Sequence, residues 1–161
     1  MVAKTIPAMC IADGMTACAL TDTNLMSGCA EFSDAMPSKH LQPIIGVELS
    51  LNHHTADPKI LRVSSLSKIV LLAQNHDGYL NLCELSRIMY MREENHHLGP
   101  YITLDELQSH ANGIICLSGA HDGPLGMAIL NKQDALARTY ARRFLDIFGD
   151  RFYIDVVQTK K

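Results

Sequence analysis

The sequence predicts an α/β protein in which mainly parallel strands alternate with helices, in a sheet that is open or rolled into a barrel. Three observations lead to this class. The chain has 161 residues, 47% hydrophobic and 19% charged, which is typical of one globular domain rather than a disordered or fibrous chain. Short apolar runs of strand length recur along it, and segments with a helical period separate them. Strands joined through helices pair in parallel, because the helix returns the chain to the same end of the sheet.

The N-terminal segment predicts a helix followed by a short strand. Residues 5–12 place apolar side chains on one helical side, with Pro7 suited to the first turn and Gly14 as a stop. Residues 17–21 form an apolar run of the length typical of a buried parallel strand. The run is followed by the polar Asp22, so we expect the strand to end there.

A second helix and a second strand follow. Residues 28–36 predict a helix that Pro37 closes, because proline cannot continue the hydrogen bonding of a helix. Residues 43–51 are rich in isoleucine, valine and leucine and predict a strand. The polar stretch 52–67 predicts a long connection.

The middle of the chain contains a third strand and two helices. Residues 69–73 predict the strand, and residues 77–91 predict a helix in which leucine, isoleucine and methionine recur with a helical period. After a polar loop, Thr103 and Glu106 have the spacing of a capping box, in which the hydroxyl and the carboxylate bind free N–H groups at a helix start. A short helix to Ala111 is therefore predicted.

The last third predicts a strand, a flexible loop, two helices and a final strand. The strand covers residues 113–118, and the glycine-containing loop covers 119–123. The helices cover 127–130 and 134–148, the second with aromatic and leucine residues at intervals of four. The final strand covers 152–157.

Charge and cysteine content exclude several classes of protein. The 14 basic and 17 acidic residues give a formal net charge of −3, which argues against a nucleic-acid clamp because such a clamp needs a basic face. No apolar run approaches the roughly 20 residues of a bilayer span, so we expect a cytoplasmic protein with no membrane contact. The five cysteines are odd in number and lack C-x-x-C spacing. They predict buried, reduced thiols rather than disulfides or a zinc site.

Common enzyme motifs are absent from the sequence. It contains no phosphate loop of the G-x-x-x-x-G-K-[ST] type, no H-E-x-x-H and no G-x-S-x-G. Two adjacent histidine pairs, 53–54 and 96–97, lie in polar segments. Adjacent side chains diverge in extended backbone, so solvated surface is the favoured interpretation and metal binding the alternative.

Three titratable residues stand at predicted strand ends. Asp22 follows the first strand, Glu48 lies in the second, and His121 follows the fourth. Carboxylates at the carboxyl ends of neighbouring parallel strands are where a barrel enzyme keeps metal ligands. The structural alternatives are an Asx-turn or helix cap for Asp22 and a partner for a buried Lys or Arg for Glu48. Spacing alone leaves both interpretations open.

Several segments in succession resemble one known family. The order and spacing of these segments are similar to the PHP (polymerase and histidinol phosphatase) domain of bacterial replicative DNA polymerase III alpha subunits. The resemblance covers nearly the whole chain and rests on residues 19–25, 28–32, 42–49, 71–75, 78–82, 113–119 and 148–155.

The resemblance implies a partial, irregular (β/α) barrel and a place in DNA replication. The family's first motif, H-x-H-x-x-x-S, would precede residue 1 and its last, D-x-H, would follow Lys161, so we expect residues 1–161 to form one partial PHP domain. The parent would be a DNA-directed DNA polymerase, a nucleotidyltransferase whose catalytic carboxylates lie far downstream. The expected partners are the rest of the alpha subunit and the proofreading exonuclease subunit, with DNA reached only through the holoenzyme.

The resemblance also implies a degenerate metal site. Asp22 and Glu48 keep ligand positions, and His121 is a weaker candidate. Three ligand positions are changed: Thr23 and Lys68 stand where the family has histidine, and Ala120 stands where it has cysteine. Two carboxylates cannot hold a catalytic cluster of metal ions. We therefore expect no firmly bound cofactor, with Mn²⁺, Zn²⁺ or Mg²⁺ only if the remnant site is occupied.

Lys68 prompts a specific hypothesis. Its ammonium would replace the metal charge by pairing with Asp22 or Glu48, and the alternative is a solvated lysine at a strand start. The favoured function is a structural and docking module. The alternatives are a metal-dependent PHP phosphoesterase or 3′-5′ exonuclease that uses the remnant ligands, and an α/β interaction domain outside this family.

Overall fold

The computed structural model describes residues 5–37, 40–53, 66–92 and 99–157. Helices and strands alternate through these ranges. The helices are α1 Ile6–Ala12, α2 Cys29–Ala35, α3 His76–Met91, α4 Leu104–Ser109, α5 Pro124–Leu130 and α6 Asp134–Phe148. The strands are β1 Ala17–Leu20, β2 Gln42–Asn52, β3 Ser67–Ala73, β4 Ile102–Thr103, β5 Ile114–Leu117 and β6 Phe152–Tyr153.

The sheet has the order β1-β2-β3-β5-β6, and β4 pairs with β2. The pairs β1–β2, β2–β4 and β5–β6 are parallel, whereas β3 runs antiparallel to both β2 and β5. The predicted α/β class with mostly parallel strands is confirmed. In the described ranges no pairing joins β1 to β6, so the sheet stays open. Because β3 is reversed, its first residues lie beside the last residues of β2 and β5.

One face of the sheet is buried under helices. Leu49, Ile69 and Leu71 have no solvent exposure, and neither does Cys116 on β5. They pack with apolar side chains of α3, α4, α5 and α6 in the main core. We call this the helix-covered face. A smaller cluster around Phe32 packs α1 and α2 against β1 and the start of β2.

The opposite face is only partly covered. Side chains alternate along a strand, so the register places Glu48 and Val70 opposite each other on this face, with Lys68 and Leu72 on either side of Val70. On β5, Ile115 and Leu117 face the same way, and all six residues are half-buried. We call this the open face, defined by Glu48, Lys68, Val70, Leu72, Ile115 and Leu117.

Some local predictions are confirmed in atomic detail and others need correction. The capping box is present: Thr103 Oγ1 accepts from the Glu106 N–H at 3.3 Å, and Glu106 Oε2 accepts from the Thr103 N–H at 2.8 Å. Helix α5 begins at Pro124 rather than at 127, because proline fits the first helical turn. Strand β6 ends at Tyr153, so the predicted strand over 152–157 was too long.

The reversed β3 and the two-residue β4 were not predicted. The stretch between β2 and β3 has no helical apolar period. This is consistent with the reversal of β3, because antiparallel neighbours need no crossover helix. The five cysteines are free. Cys10, Cys29 and Cys116 are buried as predicted, whereas Cys18 is partly buried and Cys83 is exposed on α3.

None of the helices in the described ranges combines the length and apolar character needed to cross a lipid bilayer.

Candidate functional site

Glu48 lies at the centre of a small polar cluster on the open face of the sheet. Its Oε1 accepts a hydrogen bond from Thr23 Oγ1 at 2.8 Å and forms an ion pair with Lys68 Nζ at 2.9 Å. Backbone hydrogen bonds also join β2 to the segment after β1: the Glu48 N–H donates to Asp22 O at 3.2 Å, and the Asn24 N–H donates to Glu48 O at 2.7 Å. One carboxylate oxygen therefore links the segments of β1, β2 and β3.

The reversed direction of β3 is what brings Lys68 to Glu48. Glu48 faces Val70 across the strand pair, and Lys68 lies two residues earlier on the same face. The two are diagonal neighbours, which long side chains can bridge. The hydrogen bond and the charge of Glu48 raise the pKa of Lys68, with a smaller contribution from the charge of Asp122. Lys68 is therefore a cation at neutral pH.

The side chain of Asp22 points to the opposite side of the segment after β1 from that of Thr23. It precedes Thr23, and alternate residues of an extended segment point to opposite sides. Its Oδ2 is 3.5 Å from the position that a Cβ on Gly28 would take, at the start of α2. Burial raises the pKa of the neighbouring Cys29 thiol, and the charge of Asp22 adds to this. The structure thus brings Glu48 together with Thr23 and Lys68, and it places Asp22 beside α2.

The loop after β5 closes the cluster on its other side. Gly119 has φ +80°, and a Cβ at this position would overlap the carbonyl oxygen of Lys68. The loop therefore lies directly on the backbone of Lys68. Ala120, at a degenerate ligand position, is held in a left-handed turn with φ 47° and its N–H donates to Asp155 Oδ1 at 2.9 Å.

Asp155 fixes this loop from the segment after β6. Its Oδ1 accepts a hydrogen bond from Ser118 Oγ at 2.6 Å, and the Asp155 N–H donates to Ser118 Oγ at 3.2 Å. Burial is the largest single influence and favours the neutral acid, but the hydrogen bonds from Ser118, Ala120 and nearby N–H groups together hold the pKa of Asp155 below its usual range. Our sequence reasoning missed this residue. The rule that singled out Asp22 and Glu48, an acid at a strand end, would have found it.

His121 lines an apolar groove. Its Nε2 is 3.5 Å from Asp122 Oδ1, and its side chain is 66% exposed. The groove has a volume of about 320 Å³ and is lined mainly by Leu125, Ile129, Ile154 and Val156, with His121 and Asp155 among its polar residues.

Of the two histidine pairs, only His53 lies within the described residues. Its Nδ1 is 2.9 Å from Ser67 Oγ, and its ring meets Tyr140 edge-on at 5.1 Å between centroids. His54, His96 and His97 lie outside the described ranges.

The described residues do not fit the metal cluster that the family implies. Across these ranges no group of three or more His, Cys, Asp or Glu side chains is placed to hold a metal ion. A catalytic zinc needs three protein ligands, and the Oε1 of Glu48 already has two donors. The arrangement joins strand segments through Glu48 Oε1.

A profile described as "PHP domain" matches residues 3–159. The chain belongs to the PHP domain family. Among curated relatives, this PHP domain is 36% identical over 150 residues to DNA polymerase III subunit alpha of Pseudomonas fluorescens. It is 33% identical over 144 residues to the same subunit of Rickettsia bellii. The alignments cover 92% and 89% of this chain and 12% of each relative, so the PHP domain spans a small part of their length.

A solved structure has the same fold. An amidohydrolase from Chromobacterium violaceum, determined with bound sulfate and no metal, matches with a TM-score of 0.51 and 12% identity. The match covers 98% of this PHP domain and 81% of that protein. These comparisons confirm the predicted PHP fold and the resemblance to DNA polymerase III alpha subunits. The boundaries of the partial domain stay a prediction.

Proposed function

We propose that this PHP domain acts in DNA replication as a structural and docking module of a DNA polymerase III alpha subunit, without hydrolytic activity of its own. The observation that carries the proposal is the state of Glu48, whose Oε1 is shared by Thr23 and Lys68. A PHP hydrolase would need that carboxylate to bind a metal ion and activate water. Here it joins strands instead.

The role in replication is supported by sequence similarity to the alpha subunits of Pseudomonas fluorescens and Rickettsia bellii. In such a subunit, nucleotidyl transfer would take place outside this domain, and the protein would work in the cytoplasm. The partners of the domain would be the rest of the alpha subunit and the proofreading exonuclease subunit. Its formal charge of −3 favours contact with DNA through those partners rather than directly.

The first experiment measures hydrolysis. The purified chain is incubated with Mn²⁺, Zn²⁺ or Mg²⁺ and either a phosphodiester reporter or single-stranded DNA. We expect release of product no faster in the wild type than in Glu48→Gln, with Glu84→Gln as a control at a half-buried acid on α3. Metal-dependent release that Glu48→Gln or Asp22→Ala abolishes would establish the phosphoesterase or exonuclease alternative and refute the proposal.

The second experiment measures docking. The proofreading exonuclease subunit is titrated against the chain by calorimetry, with the complete alpha subunit as the positive control. Saturable binding by the chain supports a docking role. Binding by the complete subunit but not by the chain would place the docking surface elsewhere and leave this domain a structural part of the polymerase.

A further inference from the structure

We propose that the ammonium group of Lys68 is the resident cation of this site: it takes the place of a divalent ion in tying the strand ends together, and it keeps such ions out. This inference rests on the proposed non-hydrolytic role and deepens it.

The first support is that the ion pair of Lys68 connects it, through Glu48, to two other strand segments. Lys68 on β3 contacts Glu48 on β2 at 2.9 Å, and Glu48 in turn accepts from Thr23 after β1 at 2.8 Å. Asp122, in the loop after β5, is a second negative charge that acts on Lys68. A metal ion in a barrel site joins strand ends in the same manner, through ligands from different strands.

The second support is that the backbone of Lys68 is fixed on both sides. On one side Lys68 pairs with Ser50 of β2. On the other side Gly119 lies so close to the carbonyl oxygen of Lys68 that a Cβ could not fit. The loop that carries Gly119 is held by Asp155 through Ser118 and Ala120. Because the strand pairing already fixes this backbone, the ion pair costs side-chain freedom but no further backbone freedom.

Charge explains why the ammonium excludes a metal ion. The Glu48 side chain is 27% exposed and that of Lys68 is 38% exposed, so solvent screens the pair only in part. A divalent ion at Glu48 would meet a fixed positive charge at about the distance of a ligand, because Lys68 Nζ lies 2.9 Å from Oε1. An ion bound through Oε1 would also have to displace the contacts of Thr23 and Lys68. The Lys68 charge therefore opposes the binding of a divalent ion at Glu48.

The test compares melting temperatures of variants of the full chain with and without metal. Lys68→Met removes the charge and keeps the length of the side chain, and Lys68→Arg keeps the charge. Lys132→Met is the matched control, because Lys132 is exposed in the turn after α5. Each protein is melted in EDTA and in 1 mM Mn²⁺, a concentration chosen to be on the order of the weakest protein sites for divalent ions.

We expect the wild type to melt at the same temperature in EDTA and in Mn²⁺. Lys68→Met should melt about 2–4 °C lower, as for the loss of a cross-strand charge pair in a domain of this size. Lys68→Arg should melt closer to the wild type, and Lys132→Met should not change. A Lys68→Met variant as stable as Lys132→Met would overturn the proposal.

Lys68→His tests the exclusion of metal, because it removes the permanent charge and adds a nitrogen ligand. We expect Mn²⁺ or Zn²⁺ to raise its melting temperature, EDTA to reverse the rise, and Glu48→Gln in the same chain to abolish it. If the metal ions changed the melting temperature of the wild type and of Lys68→His equally, the proposal that Lys68 excludes metal ions would be refuted. This variant also keeps the test decisive if Lys68→Met does not fold.

Failure of this inference can be separated from failure of the proposed function. Hydrolysis by the wild type would refute the non-hydrolytic role, whatever the melting temperatures. Unchanged stability of Lys68→Met with no hydrolysis would refute only the role of Lys68.

Discussion

The two faces of the central sheet differ in how they are stabilised, although they share the same strands. On β3, Ile69 and Leu71 have no exposure and pack under helices, while Val70 and Leu72 between and beside them are half-buried. The helix-covered face is held by close apolar packing. The open face carries the Glu48–Lys68 ion pair. The fold thus depends chiefly on one face, and the candidate site occupies the other.

The largest expected difference between the faces comes from two adjacent leucines. Leu71→Ala should lower the free energy of unfolding by about 2–5 kcal/mol, because it leaves a cavity in a packed core. Leu72→Ala makes the same chemical change on the open face and should cost about 1–2 kcal/mol, because the side chain already contacts solvent. Urea unfolding of both variants measures the comparison. Equal losses would mean that the open face is packed as tightly as the other.

The loop over Lys68 provides the next test. Gly119→Ala should destabilise the chain by about 1–3 kcal/mol, because the added Cβ meets backbone that cannot move easily. The control is Gly14→Ala, since Gly14 has a similar positive φ of 67° but open space around it. The difference between the variants isolates the steric clash from the backbone strain. If both lose the same stability, close contact with Lys68 is not what the glycine provides.

Asp155 connects the same loop to the end of β6, and its contribution should depend on pH. Asp155→Ala should cost about 1–3 kcal/mol at pH 7, because Ser118 is buried and loses its charged acceptor. The pKa of Asp155 is depressed in the folded chain, so its stabilisation is complete above the unfolded pKa of about 3.9. It is lost as pH falls through the folded pKa. The difference in the free energy of unfolding between the wild type and Asp155→Ala should therefore narrow below about pH 4.

Denaturant unfolding at pH 7 and pH 3 measures that gap, and Asp155→Asn serves as the uncharged, similarly shaped control. A gap that is constant across this range would show that ionisation of Asp155 adds nothing to folding.

The smallest expected effect is the difference in stability cost between breaking two ion pairs. Glu48→Gln should lower the free energy of unfolding by about 0.5–1 kcal/mol, because Glu48 joins three strand segments. Glu84→Gln breaks a pair that Glu84 forms with Arg87 within a single helix, and it should leave the free energy of unfolding unchanged within error. A loss at Glu84 as large as the loss at Glu48 would show that the open face gives its ion pair no advantage.

Local structure was predictable because local signals determine it. The capping box at Thr103 and Glu106 follows from two side chains three residues apart, and α6 follows from apolar residues at intervals of four. The site was predictable only in part. The sequence singled out Glu48 and Lys68, but it left Asp22 as an equal partner, and it did not identify Asp155.

The residues themselves determined the α/β class, the order of the elements and the family resemblance, because periodicity, caps and motifs are written along the chain. The tertiary structure decided which charges meet. It reversed β3, which set Lys68 diagonal to Glu48, and alternation along the chain after β1 turned Thr23 toward Glu48 and Asp22 toward α2. Such pairings depend on strand direction and register. These are fixed by the packing of distant segments rather than by any local pattern.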